Sequence, residues 1–406
     1  PCFLSQRWIL SYVGFWGFMM VYAIRVDFSV GIVCMVGGSS NQNTNISTIF
    51  NQTGEFDWPK PLRSSLLAMY FYGYIILQIP GGWIATRFGG KRVLGYMTFV
   101  SSVGTLLTPV LARLHVNALF AVRFIIGLAA GVSFPAMHSI WGRWAPPLER
   151  SKLMGLCYAG PSIGVILTYS VSGLLCVYGF DNGWGSIFYL TGIAGVLWCI
   201  TWYFLVSDTP QEHPRITPSE RRYIEDAIGY KPQAKVTKTP WIKMFKSPAV
   251  LACITAHACN NWTNYTLLTS LPLFMREVLE FDIKQNGFLS AVPYLCTMLS
   301  AIVSGHIVDF IRRGVNTTTV RRVVQIISFV GQSCSLVAVG FVTKELRHLA
   351  VGLLSLSMIF TGLNRSGYVI NHVDFAPRYA GELFGITNTF ATIPGMIAPI
   401  VVGLIT

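Results

Sequence analysis

Apolar runs of about twenty residues or more recur along the whole chain, and no other feature narrows its fold as far. A run of that length crosses the hydrocarbon core of a bilayer as one α-helix, because in lipid a helix satisfies its own backbone polar groups. Such runs cover residues 8–36, 64–86, 93–112, 116–141, 153–179, 184–206, 249–275, 286–311, 323–343, 347–371 and 379–405, eleven in all. Composition agrees: 52% of residues are hydrophobic and 12% charged, against about 25% charged in a soluble domain. The first run is too long, and wrongly flanked, for a removable signal peptide. The fold expected is an all-α membrane protein.

The net charge of +13 would suit a nucleic acid, but its distribution suits a membrane surface. Nineteen Lys and Arg fall in the even-numbered connections between runs and seven in the odd-numbered ones. That excess marks the even connections and the N-terminus as cytoplasmic. Two glycosylation acceptors, "NIS" at Asn45 and "NQT" at Asn51, lie in the first connection, on the opposite side. Those at Asn261, Asn264 and Asn316 fall within a span or on the basic side, and are expected to stay unmodified. The nine cysteines form no C-x-x-C pair and read as small buried hydrophobes, not as metal or redox groups.

One long hydrophilic interruption, 207–248, divides six runs (1–206, with the acceptor loop at 37–63) from five (249–406). Within it Thr217, Pro218 and Glu220 make a capping box, predicting a short amphipathic helix on the cytoplasmic surface. The two halves share a pattern. "GGWIATRFGGKR" follows the second run, and "SGHIVDFIRRG" follows the second run after the interruption. Each is glycine, apolar residues, then a basic turn suited to capping helix-end carbonyls. Asp309 stands where an acid could bridge to those bases, and Thr86 takes the matching place. Two six-helix halves around a site at the membrane midplane is a common plan for secondary transporters.

These basic turns resemble the loop signature of the major facilitator superfamily. "FYGYIILQIPGGWIA", "FPAMHSIWGRWAPPLERSKL", "NGFLSAVPYL" and "GITNTFATIPGM" are more specifically similar to its anion:cation symporter family, from about residue 8 to 405, and nearest to the branch that carries sialic acid. The resemblance implies two six-helix bundles related by a pseudo-two-fold axis, with a twelfth helix beyond the given residues. It also implies an organic anion such as a sialic acid-like or acidic amino acid-like monocarboxylate, and a co-transported proton or sodium ion. A lysosomal or secretory-vesicle membrane is favoured over the plasma membrane, with a monomer as the working unit and no cofactor.

Three basic residues lie within runs: Arg25, Arg123 and Arg365. Burying each is expensive, so each marks function. Arg25 lies roughly 18 Å and Arg123 roughly 15 Å from the outer helix end at 1.5 Å per residue, so the two reach similar depths. Helices 1 and 4 line the cavity in the family fold, where two guanidiniums would clamp a carboxylate or phosphate. Asp27, two residues on, points to another side of the helix. It shares that side with Met20, Ala23, Gly31 and Cys34, a close-packing face. Arg25 therefore reads as cavity-facing. Asp27 is open between a buried hydrogen-bonding post and a proton carrier. By resemblance Arg25 matches the family's substrate arginine, Arg123 a second family arginine and Tyr265 a cavity tyrosine, and Tyr74 is a further hydroxyl donor.

Ala130 departs from the pattern, for proton-coupled relatives carry glutamate there; either Asp27 or His138 stands in, or the coupled ion is not a proton but sodium. His138 reads equally as a structural histidine. Asn260 stands where glutamate transporters carry a second arginine, which favours a single carboxylate. Arg365 lies outside the family motif, and an inner-gate or snorkelling role beside Asp374 or Asp309 is expected. Glu149 resembles the acid that latches Arg87 and Arg92, and Pro394 with Gly395 offers a bend. A channel, a sodium-coupled phosphate- or urate-type carrier and a transport-inactive receptor are the competing readings. No catalytic cluster points to an enzyme.

Overall fold

The computed structural model describes residues 4–36, 55–228, 239–279, 281, 283–312, 314–376 and 379–405. All eleven apolar runs are helical. The first span is α1 (Gln6–Met35), and the second is α2 (Lys60–Ile76) with α3 (Gln78–Phe88). The third is α4 (Gly90–Leu114); the fourth is α5 (Val116–Gly131) with α6 (Ser133–Trp144). The fifth is α7 (Arg150–Cys157) with α8 (Gly160–Tyr178), and the sixth is α9 (Trp184–Leu205). The connecting segment carries α10 (Pro218–Ile228) and α11 (Trp241–Lys246). Beyond it come α12 (Pro248–Glu277), α13 (Ile283–Ile311), α14 (Thr317–Val339), α15 (Arg347–Leu363) with α16 (Tyr368–Phe375), and α17 (Ala380–Ile405). Eight helical stretches among the described residues are long and apolar enough to cross a membrane.

The breaks within spans have chemical causes. Pro80 and Pro135 have no amide hydrogen for the carbonyls of Ile76 and Gly131, and the helices part there, at Leu77 and Val132. The tenth span unwinds over Asn364–Gly367. Side chains of α14 satisfy that turn: Gln325 Oε1 accepts from the Tyr368 amide at 3.1 Å, and Arg321 donates to the Ser366 carbonyl.

At the linker end of the bundle, where α10 packs, Arg7 Nε donates to Glu149 at 2.7 Å and Arg7 Nη1 to Glu220 at 3.0 Å. Glu149 is thus engaged by Arg7, not by Arg87 or Arg92 as expected; Arg87 lies over the Trp83 ring and Arg92 is exposed. The capping box is half as expected. The Glu220 amide donates to Thr217 Oγ1 at 3.3 Å, but the Glu220 carboxylate accepts from the Gln6 and Arg7 amides. It caps α1 instead of its own helix, because the free amides of α1 lie within its reach.

At the opposite, loop end, Cys34 of α1 and Cys176 of α8 form a disulfide. The cysteines were expected to be unpaired, and this pair corrects that. A separation of 142 residues carries no local signature. Asn45 and Asn51 lie outside the described residues. Nearby, Glu55 accepts from Arg113 Nε at 2.7 Å and from Asn182 and Trp184 at 2.9 Å each. The Arg113 hydrogen bonds hold its carboxyl down at about 2. A depressed carboxyl contributes its stability fully above the ordinary value of about 4.3, and loses it as pH falls through the folded value. The melting-temperature gap between wild type and Glu55→Gln should therefore be constant from pH 7 to 5 and shrink as pH falls toward 2. A constant gap throughout would remove Glu55 from the acid response.

Helices on either side of the linker meet most tightly at the linker end. A Cβ built on Gly385 would stand 2.4 Å from the Gln78 carbonyl oxygen, and one on Gly82 would stand 2.5 Å from that of Gly381. Helices α3 and α17 thus run backbone against backbone, which only glycine permits there. Asn388 Nδ2 donates across the same seam to Gln78 Oε1 at 2.8 Å and to the Tyr74 hydroxyl at 3.2 Å. Arg150 Nη1 donates to the Val373 carbonyl at 3.2 Å.

Candidate functional site

Arg25 and Asp27, two residues apart on α1, face different company. The Arg25 guanidinium carbon lies 4.9 Å from the centroids of Phe71 and Tyr265, 5.2 Å from Tyr74, and 5.4 Å from Tyr22 and Tyr70. Five aromatic faces thus enclose one cation. Its Nε and Nη2 are buried without a hydrogen-bond partner. Among the described residues no carboxylate forms an ion pair with Arg25, Arg123 or Arg365. Each cation–π contact offsets about 0.5–2 kcal/mol, against several for desolvating the ion. Gly395 helps to build the cage: a Cβ there would come within 2.9 Å of the Tyr265 ring and 3.2 Å of Phe71.

Asp27 turns toward α9, where Thr191 Oγ1 donates to its Oδ2 at 3.2 Å; its Oδ1 is buried without a partner. The face assigned to it packs closely, Gly31 against Phe188 and Cys34 in its disulfide. Arg123, on α5, is the cation whose field reaches Asp27, without an ion pair between them. Its guanidinium carbon lies 4.3 Å from the Phe28 ring and 5.4 Å from Tyr70, so the Tyr70 ring stands beside both buried arginines.

The central cavity lies on the other side of that aromatic wall. Tyr22, Tyr74 and Tyr265 line it, while Arg25 and Arg123 do not. The expectation that both guanidiniums face the cavity is corrected here: ring faces close over them, because bulky aromatics on α1, α2 and α12 converge at that depth. The arginine that lines the cavity is Arg365, on the unwound turn between α15 and α16. Its expected partner Asp309 instead lies 3.6 Å from Arg312 on its own helix, and the Asp374 side chain lies outside the described residues. The polar wall includes Asn260, whose Nδ2 donates to the Tyr368 hydroxyl at 3.2 Å and whose Oδ1 accepts from Asn364 Nδ2 at 2.7 Å.

Ala130 is buried at the inner end of α5, its penultimate residue before the break to α6, within an apolar cluster, and its side chain offers no polar atom. His138 is fully buried; its Nδ1 meets the Tyr158 hydroxyl at 2.7 Å and the Phe134 carbonyl at 3.1 Å. Its ring stacks on Phe384 of α17 at 4.0 Å. Two further imidazoles, not singled out from sequence, share that phenylalanine: His257 at 5.3 Å and His372 at 5.2 Å. Thr387 Oγ1 lies 3.2 Å from His257 Nδ1 and 2.8 Å from His372 Nε2, joining them. Both stand in stretches dense with polar residues, "HACNNW" and "INHVD", and a histidine inside an apolar span was the available signal. The described residues hold no His, Cys, Asp and Glu group able to ligate a metal. Pro394 and Gly395 are buried within α17.

Residues 9–399 match the Major Facilitator Superfamily. The chain is 46% identical to sialin of Ovis aries over 99% of its own length and 83% of that protein. It is 43% identical to sialin of Homo sapiens over the same shares, and 38% identical to vesicular glutamate transporter 2 of Bos taurus over 100% of itself and 70% of that protein. Among solved structures, a proton:xylose symporter superposes with a TM-score of 0.73 at 16% identity, over 98% of this chain and 89% of that one. The E. coli fucose:proton symporter gives 0.65 at 12% identity, over 99% and 92%; at such identities these speak for the fold alone. Matched along nearly its whole length, the chain belongs to the anion:cation symporter family of the major facilitator superfamily, a family of transporters and not of enzymes.

Proposed function

We propose that this protein is a secondary active transporter that moves a small organic anion, a sialic acid-like or acidic amino acid-like monocarboxylate, together with a proton by alternating access. The observation that carries the reading is Arg25, a guanidinium 6% exposed with two unpartnered donors and, among the described residues, no carboxylate paired with it. A permanent charge so placed, one ring layer behind the cavity wall of Tyr22, Tyr74 and Tyr265, favours an anion that arrives from the cavity when those rings part over any fixed partner. Its α1 neighbour Asp27, with one unpartnered oxygen, and the His138 cluster are the candidate proton carriers. The relatives named for sialin and glutamate transport support the substrate class.

The linker end corresponds to the cytoplasmic face and holds the N-terminus, a reading supported by the excess of Lys and Arg there. A disulfide at the loop end suits an oxidising lumen. A lysosomal or secretory-vesicle membrane fits both, and a monomer suffices for the mechanism. The halves 1–206 and 249–406 would rock about the cavity, with 207–248 as their tether. The interlocked linker end makes this the state closed to the cytoplasm.

Ala130 favours a second reading, sodium-coupled movement of a phosphate- or urate-type anion, because methyl carries no proton. Uptake into proteoliposomes separates the two. Saturable sialic acid or glutamate uptake should rise several-fold with an acid-outside gradient and be indifferent to sodium. Uptake that follows sodium and ignores pH selects the second reading. No saturable uptake of sialic acid, glutamate or phosphate defeats both.

A further inference from the structure

We propose that Glu382 is a proton-operated lock on the cytoplasmic closure: it takes a proton from the cytoplasm when α3 and α17 close and returns it to the same side when they part. This rests on the reading above that the linker end is the cytoplasmic gate. Glu382 stands in the first turn of α17 and is 0% exposed, with both carboxyl oxygens buried and unpartnered. By contrast, Asp27 has Thr191 and Asp309 has Arg312. Nothing in the transport site described above uses Glu382.

The seam around this acid leaves no room for water. A Cβ on Gly82 of α3 would stand 2.5 Å from the Gly381 carbonyl oxygen and 3.0 Å from the Glu382 amide nitrogen. The two backbones touch at the residue that carries the acid, so closure strips the carboxyl of solvent. What the seam offers instead suits an acid and not an anion. The Thr86 hydroxyl, which faces Glu382, donates its one hydrogen to the Gly82 carbonyl at 3.0 Å and keeps lone pairs that can only accept. Arg143 of α6 is the cation whose field reaches Glu382. Its Nη2 donates to the Thr86 carbonyl at 3.1 Å, and it forms no ion pair with Glu382 among the described residues.

Charged and titratable groups on the surrounding elements are engaged elsewhere. Arg87 of α3 lies over the Trp83 ring, and Arg150 of α7 donates to the Val373 and Ala145 carbonyls. His138 of α6 stacks on Phe384, while His257 of α12 and His372 of α16 meet Thr387, deeper in the span. Lys243 and Lys246 of α11 are exposed.

A helix start favours an anion in its first turn, but that gain is smaller than the cost of drying a carboxylate that nothing bonds. The closed seam therefore holds the neutral acid, and the open seam, where water returns, lets the proton go. Because Glu382 meets water only at the linker end, no proton crosses the membrane through it. Asp27 and His138 keep the role of carriers. Closing binds one proton, so a fall in cytoplasmic pH raises the ratio of closed to open protein, by up to about tenfold per pH unit.

Ser139 of α6, 7% exposed beside Gly381, reports on the seam. In the full chain purified in detergent, with the exposed Cys259 and Cys334 replaced by Ser, Ser139→Cys is labelled by a charged thiol reagent from pH 6 to pH 8. The same is done with Glu382→Gln added. That variant keeps the shape of the neutral acid and cannot ionise, so its rate divides out the pH dependence of the thiol itself. The rate of the parent relative to Glu382→Gln should rise about threefold or more over that range. A flat ratio overturns the proposal. Faster labelling of Glu382→Gln than of the parent at pH 6 would make the carboxylate an anionic clasp on Arg143, and overturns it too. If Glu382→Gln does not fold, Glu382→Leu takes its place with the same expectation. If neither folds, the parent is referred to the reagent's rate with free cysteine, and a flat ratio again overturns the proposal. No labelling at any pH in either protein would mean that the linker end does not open. That defeats the alternating-access reading and the proposal with it, a result distinct from a flat ratio.

Discussion

Arg25→Ala should reduce anion uptake by about two orders of magnitude or more while leaving the protein as stable as before. The uptake loss follows from charge: two donor groups of one buried cation are withdrawn from the solute, each worth about 1.5–3 kcal/mol to a charged partner. The unchanged stability is the less obvious half. A buried arginine in a structural ion pair costs about 3–5 kcal/mol to remove, because its partner is stranded. Here no carboxylate would be stranded, and the cage of Tyr22, Tyr70, Phe71, Tyr74 and Tyr265 loses only cation–π contacts. Desolvation of the guanidinium disappears along with them, and the two terms oppose each other. Thermal unfolding in detergent beside uptake in proteoliposomes reads both halves. A melting point many degrees lower would make Arg25 a structural post, and wild-type uptake would remove it from the transport path.

Much of the architecture was legible because bilayer thickness writes itself into run length: all eleven apolar runs are helices, within a few residues at most ends. The separation of Arg25 from Asp27 was legible too, since an offset of two residues on a helix cannot share a face. Depth was easier to read than direction. Residue counting placed Arg25 and Arg123 at one level, but beside Tyr22 and Phe28 of α1 the rings that close over them come from α2 and α12, and periodicity on α1 and α5 carries nothing about those. The surroundings of Arg365 were hidden for a related reason. The break at Asn364–Gly367, satisfied by Gln325 and Arg321 from a distant segment, sets it on the cavity wall, which a continuous helix does not reveal. The Cys34–Cys176 bond and the three imidazoles around Phe384 likewise exist only once separate helices meet.

Gly385→Ala should open the linker end. The added Cβ would stand 2.4 Å from the Gln78 carbonyl oxygen, 3.1 Å from its carbon and 3.2 Å from the Ile79 Cα. These are backbone atoms, which cannot rotate away as a side-chain tip can, so α17 must back off from α3. Backing off also stretches the hydrogen bonds from Asn388 to Gln78 and Tyr74, now 2.8 and 3.2 Å. Overpacking of this kind costs about 1–3 kcal/mol. In a conformation where α3 and α17 have already separated, the same methyl meets nothing, so the whole penalty falls on the closed state. A differential penalty of that size shifts a two-state population about 5- to 150-fold. Ser139, 7% exposed beside Gly381 at this seam, is the reporter. With Cys259 and Cys334 replaced by Ser, a Ser139→Cys protein should react with an impermeant thiol reagent about tenfold faster when Gly385→Ala is added. Gly173→Ala, whose Cβ would meet nothing within 4 Å, should leave the rate unchanged. Equal labelling in all three proteins would mean that the α3–α17 seam is scaffold, and that the gate lies where α7 and α8 pack on α13.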